Sequence, residues 1–370
     1  MIGEQKSTSI EAGRAVAQVG SGPEILAFSA EAHSHSLMPG WELQSVIGNE
    51  PVPAEQAYRW SWAEVLRPMM VKAYDVLDPV KAERRNLIMV NPALKRPATT
   101  HTLVAAVQGV LPGEIAPAHR HSAGALRFMI EGRGAFTNVN GEPCYMEPAS
   151  MILTPQWCWH DHANETDQPV IWLDVLDVPF IFGISQWFFE LFPQESQPRS
   201  RPSDETLKRF GAGIVRPVGP RVYDNGPSPL MTYPWDRTEA ALTELAALDE
   251  TDGGVTVEYN NPLTGGPVLP TIGCYAHMLR PGGVTHPRRT NASAVLHVVK
   301  GRGRTVVGDQ KLEWETGDVL AVPHWTWVQH ENRSATEPAF LFSSTDTPIL
   351  HAFGIYRDEV APSRNGGSPR

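Results

Sequence analysis

His119-Arg120-His121, followed by Pro155-Gln156-Trp157-Cys158-Trp159-His160-Asp161-His162-Ala163-Asn164, is the pair of segments that decides the fold. Residues two apart on a strand project to one face, so His119 and His121 point the same way. A histidine from a later strand, His160, closes a facial set of three. A small β-barrel with imidazoles at this spacing can hold one divalent metal, and Fe(II), Mn(II), Zn(II), Ni(II) and Cu(II) all accept such ligands.

Gly113, His119-X-His121 and Gly132, then Pro155-X-Trp157-X-X-His160-X-X-X-Asn164, resemble the two motifs of the cupins. Many cupins carry a glutamate about four residues after His-X-His as a fourth ligand, and Ala125 stands there in this chain. Three protein ligands leave about three positions open on an octahedral ion, enough for a bidentate substrate and O2.

The chain also resembles itself at an offset of about 168 residues. Leu111-Pro112-Gly113 matches Arg280-Pro281-Gly282, Gly132-Arg133-Gly134 matches Gly301-Arg302-Gly303, and Pro155-Gln156-Trp157 matches Pro323-His324-Trp325. In the second copy Arg288, Thr290 and Val328 stand where His119, His121 and His160 do, while His330 and Asn332 keep the places of His162 and Asn164. His286 and His297 remain near the second copy's site. The fold expected is mainly β: a bicupin of two double-stranded β-helix (jelly-roll) barrels with an N-terminal helical segment. The boundaries expected are 1–95 for an N-terminal arm and helices, 96–195 for a metal-binding barrel, 196–265 for a connecting segment, 266–360 for a barrel without the metal site, and 361–370 for a tail.

Short β-rich runs at Ile152-Leu153-Thr154, Val170 to Leu176 and Val319 to Val322 read as strands. Residues 54–77, with Trp60, Trp62, Val65, Leu66 and Met69 near the helical period, read as a packing helix ending before Pro79. The polar, proline-bearing Gln194 to Pro202 reads as a linker or surface loop, residues 1–22 and 362–370 as loose ends. Trp157, Trp159, Trp325 and Trp327 recur in both copies and read as barrel core.

The 370 residues, 41% of them hydrophobic, are ample for buried cores. A net charge of -10 without a basic run argues against nucleic acid. No apolar stretch approaches a membrane span or signal peptide, and Cys144, Cys158 and Cys274 form no CxxC, which fits a cytoplasmic protein.

Ala116-Pro117-Ala118-His119-Arg120-His121 through Arg127-Phe128, the His160 segment, and Trp172-Leu173-Asp174-Val175-Leu176-Asp177 together resemble the gentisate 1,2-dioxygenase family, tightly over about residues 80–180 and loosely over the whole bicupin layout. That family includes salicylate and 1-hydroxy-2-naphthoate cleaving members. The resemblance implies one Fe(II) per chain on His119, His121 and His160, O2 as co-substrate, an ortho-hydroxybenzoate opened between its carboxyl- and hydroxyl-bearing carbons, and a homotetramer. Gentisate, giving maleylpyruvate, is the default; salicylate, substituted salicylates and 1-hydroxy-2-naphthoate are alternatives.

A guanidinium suits a substrate carboxylate, so Arg127 and Arg84 are candidate binding groups. Gln108, with Ala106 and Val104 at alternate positions of its strand, is expected to line the pocket. His162 is a candidate acid, base or hydrogen-bond donor, and Asp174 a candidate orienting group. The competing class is a metal-dependent isomerase or a ligand-binding module without turnover, against which Ala125 and the match around Arg127 weigh.

Overall fold

The computed structural model describes residues 22–45, 48–77, 84–213, 215, 217–218, 226–249 and 253–362. Residues 1–21 and 363–370, where loose ends are expected, lie outside these. The chain divides into two compact units, Met1–Val52 and Pro53–Arg370. In the first, helix Pro23–Ser34 starts with proline at its first turn, where a missing N–H costs nothing. It is followed by the 3-10 turn Gly40–Ser45, with Phe28 against Trp41 and His33 bonded to Glu42 at 2.9 Å.

The second unit contains the two expected barrels, each made of a six-stranded and a five-stranded antiparallel sheet. In the N-terminal barrel, Thr232–Tyr233, Met151–Thr154, Ala125–Glu131, Val170–Leu176, Val104–Val110 and Asn86–Ile88 form the larger sheet. Phe189–Leu191, Ile115–His121, His160–Ala163, Phe136–Val139 and Glu142–Tyr145 form the smaller. The C-terminal barrel repeats this order with Tyr58–Trp60, Val319–Val322, Ala294–Lys300, Ala339–Thr345, Gly273–Leu279 and Gly254–Glu258 facing Gln310–Glu315, Arg302–Val307, Val328–Asn332, Arg288–Thr290 and Asp358–Val360.

Registers confirm the internal repeat. His119 pairs with His160 in one barrel and Arg288 with Val328 in the other. Gly132 and Gly301 both sit at positive φ, with backbone filling the space a Cβ would need, so both copies require glycine at this corner. No described helix is long and apolar enough to cross a membrane.

Each barrel has its own core. Val110, Met129, Cys144, Ile152 and Trp172 fill the first, and Leu279, Leu296, Trp314, Leu320 and Leu341 the second. The largest cluster lies between them. Val107, Leu126, Phe128 and Leu173 from the first barrel pack with Cys274, Ala276, Phe340 and Phe342 from the second. The central strands are therefore buried on both faces, which is why Val104–Val110, buried at every position, shows no apolar–polar alternation and only Gln108 as a long polar residue.

Three sequence expectations change. The run read as one helix from residue 54 begins as strand Tyr58–Trp60, joined to the far barrel at Ala321 and Val319. Only then does helix Trp62–Leu66, π-wound and capped by the Ser61 hydroxyl on the Glu64 N–H, continue as Arg67–Val76. Leu66, Met70 and Ala73 form its buried stripe, while Val65 and Met69 are exposed, because a π turn shifts the apolar phase. The Gln194 to Pro202 stretch is not wholly surface: Gln197 is buried and bonds Asp161 Oδ2 at 3.0 Å and the Asn138 carbonyl at 2.9 Å. Trp157 is 45% exposed rather than core; it and Trp159 flank the Arg120 guanidinium, as Trp325 and Trp327 flank Arg289.

Candidate metal centre and pocket

His119 and His121 end the strand Ile115–His121, and His160 begins its neighbour His160–Ala163. The two-residue spacing and the antiparallel register bring the three rings together inside the first barrel. Their donor atoms lie within 4.8 Å of one another, with ring centroids 5.4, 4.1 and 5.0 Å apart.

Each Nδ1 meets a backbone carbonyl: His119 to Pro117 at 3.0 Å, His121 to Ala123 at 2.8 Å, His160 to Cys158 at 3.0 Å. That fixes the proton on Nδ1 and leaves Nε2 as the lone-pair nitrogen. The His160 Nε2 is buried and has no hydrogen-bond partner. Burial holds His119 down to about 2 and His121 to about 4, and His160 well below its usual value, so all three are neutral near pH 7. Neutral, convergent, carbonyl-anchored imidazoles fit a divalent metal.

Next to this set lies a cavity of about 570 Å³ lined by His121, Arg84, Gln108, Arg127, Asp174, Asn86 and Arg96, with apolar walls from Ile88, Val104, Ala106, Leu176, Val178 and Phe182. Register explains the gathering. Asp174 lies between Arg127 on one side and Ala106 on the other, Trp172 pairs with Gln108, and Asn86 pairs with Gln108 from the edge. Val104, Ala106 and Gln108 thus share a face, and Ala105 and Val107 turn to the inter-barrel core.

Arg127 is buried, donates to the Thr154 hydroxyl at 2.8 Å and has its Nε 3.3 Å from Asp174 Oδ1. Those two facing atoms are not aligned for a hydrogen bond. Burial pulls Arg127 below and pushes Asp174 above their usual ranges, and each charge draws the other back. Trp172 Nε1 fixes the other Asp174 oxygen at 3.0 Å. Arg127 comes not from regular continuation of the His121 strand but from the next strand, in the opposite sheet, after the turn at residues 122–124.

His162 is buried and held neutral by burial, with Nδ1 2.9 Å from the Thr137 hydroxyl and Nε2 without a hydrogen-bond partner. Its counterpart His330 makes the same bond to Thr305, so the anchoring belongs to the barrel in both copies. Gln108 Nε2 is likewise buried and without a hydrogen-bond partner. Arg84 donates to the Pro117 carbonyl at 3.1 Å and lies against His119 Nδ1, beside the three-histidine set rather than on a solvated loop.

Sequence reading missed an aromatic shield. Phe189 stacks on His119 at 5.2 Å from a strand that pairs with the one carrying His119 and His121, and Trp187, two residues before that strand, stacks on His121 at 5.9 Å. The only local signal was the run Trp187-Phe188-Phe189. Arg96 and Phe182 were missed as well.

In the second barrel the same positions are discharged. Leu296 and Ser343 pair where Arg127 and Asp174 pair, and His277, bonded to Ser343 and Thr256, takes the place of Gln108. Arg288, in the His119 position, points out to Asp358 at 2.7 Å.

Comparison with known proteins agrees. The Cupin domain family matches residues 106–176 and 276–344. The chain is 40% identical over 333 residues to a 5-aminosalicylate 1,2-dioxygenase of Comamonas sp., covering 88% of this chain and 87% of that protein. It is 36% identical to gentisate 1,2-dioxygenase 1 of Aquipseudomonas alcaligenes, covering 90% and 95%. The crystal structure of salicylate 1,2-dioxygenase from Pseudoaminobacter salicylatoxidans with gentisate superposes with a TM-score of 0.86 at 31% identity, covering 94% and 98%.

Proposed function

The chain belongs to the ring-cleaving 1,2-dioxygenases of the gentisate and salicylate type, and from that membership we propose that it opens a 5-substituted salicylate, gentisate first, at one Fe(II) held by His119, His121 and His160. The observation that carries this reading is the set of buried polar atoms without hydrogen-bond partners inside one barrel: the His160 Nε2 lone pair, which suits a metal, and beside it His162 Nε2, Gln108 Nε2 and Arg127 Nε, which suit oxygen acceptors. Leaving such groups unmet costs about 1–3 kcal/mol each, so the pocket favours a ligand with several oxygen acceptors. An ortho-hydroxybenzoate brings a carboxylate and a phenolate.

A bound iron would supply open positions where the hydroxy acid chelates and O2 is held beside the ring. The side chains do the rest. Arg127, kept in place by Asp174 and Thr154, and Arg84 face the substrate's negative charge. Gln108 donates to a substrate oxygen. In the tautomer whose Nδ1 accepts from the Thr137 hydroxyl, His162 carries its proton on Nε2 and would donate a hydrogen bond to the phenolate oxygen. Val104, Ala106, Leu176 and Phe182 clamp the ring faces and exclude water. Asn86 is the polar group assigned to the ring's 5-substituent, and a carboxamide serves a hydroxyl or an amine equally well. That equivalence, with the 40% identity to the Comamonas enzyme, makes 5-aminosalicylate the second reading.

The same reading includes a cytoplasmic homotetramer, which sedimentation of the purified protein checks for its assembly. The deciding experiment adds Fe(II) and one hydroxy acid without air, then O2, and compares kcat/KM for gentisate, 5-aminosalicylate, salicylate and 1-hydroxy-2-naphthoate by O2 uptake. Gentisate is expected to lead, with salicylate behind. No uptake with any of them would sink the reading.

A further inference from the structure

Outside the triple-histidine centre, one other group of described residues brings metal-ligating atoms together: Glu55, His101 and His324, all within 4.8 Å. We infer that these three side chains bind a second divalent cation of the zinc type, clipping the two barrels together. Glu55 precedes the strand Tyr58–Trp60, His101 precedes Val104–Val110 of the first barrel, and His324 follows Val319–Val322 of the second.

The geometry is that of a ligand set. Glu55 Oε1 lies 3.0 Å from His101 Nδ1 and 3.1 Å from His324 Nδ1. Bonds of about 2.0–2.2 Å at tetrahedral angles put donors roughly 3.3–3.5 Å apart, a few tenths of an ångström wider than these separations, so binding needs only a small outward shift of the side chains. Glu55 is fully buried, and its other oxygen, Oε2, has no hydrogen-bond partner. A plain hydrogen-bonded bridge from two imidazoles to Oε1 leaves that oxygen unmet, whereas a cation takes a carboxylate through either or both oxygens. On the far side of His101, Nε2 faces the Asp346 carboxylate at 3.6 Å, the arrangement in which a carboxylate orients a metal-bound imidazole. The two carboxylates offset the ion's charge. His101, 29% exposed, leaves room for a water ligand.

The internal repeat shows that the barrel itself does not demand these groups. At the matching place by the first barrel, Gln156 stands for His324 and Pro270 for His101. Gln156 donates to the Thr271 hydroxyl at 3.2 Å and also bonds Asp177, the counterpart of Asp346. A neutral side chain suffices there, so the imidazoles on the other side are an addition with ligand chemistry.

The test titrates Zn(II) into iron-loaded protein, dialyses, and counts both metals per chain. The wild type is expected to keep its iron and gain one zinc, and Co(II) in place of zinc to give visible d–d bands. His324→Gln and Glu55→Gln are each expected to lose the second ion and its cobalt bands while keeping iron and O2 uptake. The inference is overturned if the wild type holds no ion beyond its iron, if zinc enters only by displacing iron, or if either variant takes up as much zinc as the wild type. The wild-type count decides the matter even should both variants misfold.

Discussion

At the scale of single residues, the metal positions divide sharply between the two copies. His119→Ala and His160→Ala are expected to remove most bound iron and all ring cleavage, because each deletes one of three protein ligands. Arg288→Ala, in the matching position of the other barrel, should leave iron and activity unchanged, since Arg288 meets Asp358 and the Tyr356 hydroxyl at the surface. Elemental analysis with O2 uptake checks this, and equal loss in all three variants would refute it. Asp177 gives a pH prediction. Its carboxyl accepts from the Gly124 N–H at 2.9 Å, and burial pushes it up to about 6 from 3.8. A carboxyl raised in the folded state keeps a proton that the unfolded chain has released, so its contribution is complete below pH 3.8 and is lost as pH rises toward about 6. Asp177→Asn, which retains an acceptor for Gly124, should therefore gain on the wild type between pH 4 and 7, by on the order of 2 kcal/mol. Urea melts at both pH values measure the difference, and a flat difference refutes it. The ligands were legible because a spacing of two encodes a shared face. Phe189 and Trp187 were not, because the strand that begins at Phe189, and the residues just before it, reach these histidines through pairing between strands distant in sequence.

At the scale of elements, strand Val104–Val110 shows what a pattern can hide. With both faces buried it has no alternation to read, yet its parity was recoverable from Gln108, the one long polar residue in the run. Ala106 lies opposite Asp174 and Ile88 in register, on the cavity side. Ala106→Leu is expected to fill the space for the ring and lower kcat/KM for gentisate about 10- to 200-fold, the range for small steric changes in a substrate pocket. Iron content should not change, because no ligand lies on this strand. Steady-state kinetics with metal analysis checks it; an unaltered kcat/KM would place the ring elsewhere. The helix after Ser61 was legible in kind but not in phase. Its π-wound start moves Val65 and Met69 outward, and the strand before it exists only because the partner edge is in the other barrel. Such an edge has no local signature in the sequence.

At the scale of the whole molecule, the repeat made both barrels legible, but not how they are joined. Two barrels written side by side in a sequence read as separable modules. The largest core instead lies between them, with Phe128 of the first stacked on Phe342 of the second at 4.4 Å, and Tyr259 edge-on to Phe342 at 5.9 Å. The second barrel lacks the three histidines, and its service to the first is to cover the back of the sheet that carries Gln108, Arg127 and Asp174. Phe342→Ala, in the shared core and outside the three-histidine set, should therefore cost about 3–5 kcal/mol by opening a cavity there. On the proposed iron site, it should also lower the temperature at which iron is released, because the first barrel relies on the second to cover that sheet. Calorimetry followed alongside iron release is expected to show one transition in both proteins, shifted down in the variant. If the second barrel melted first while iron stayed bound, the barrels would be independent and the shared core would not be what supports the metal centre.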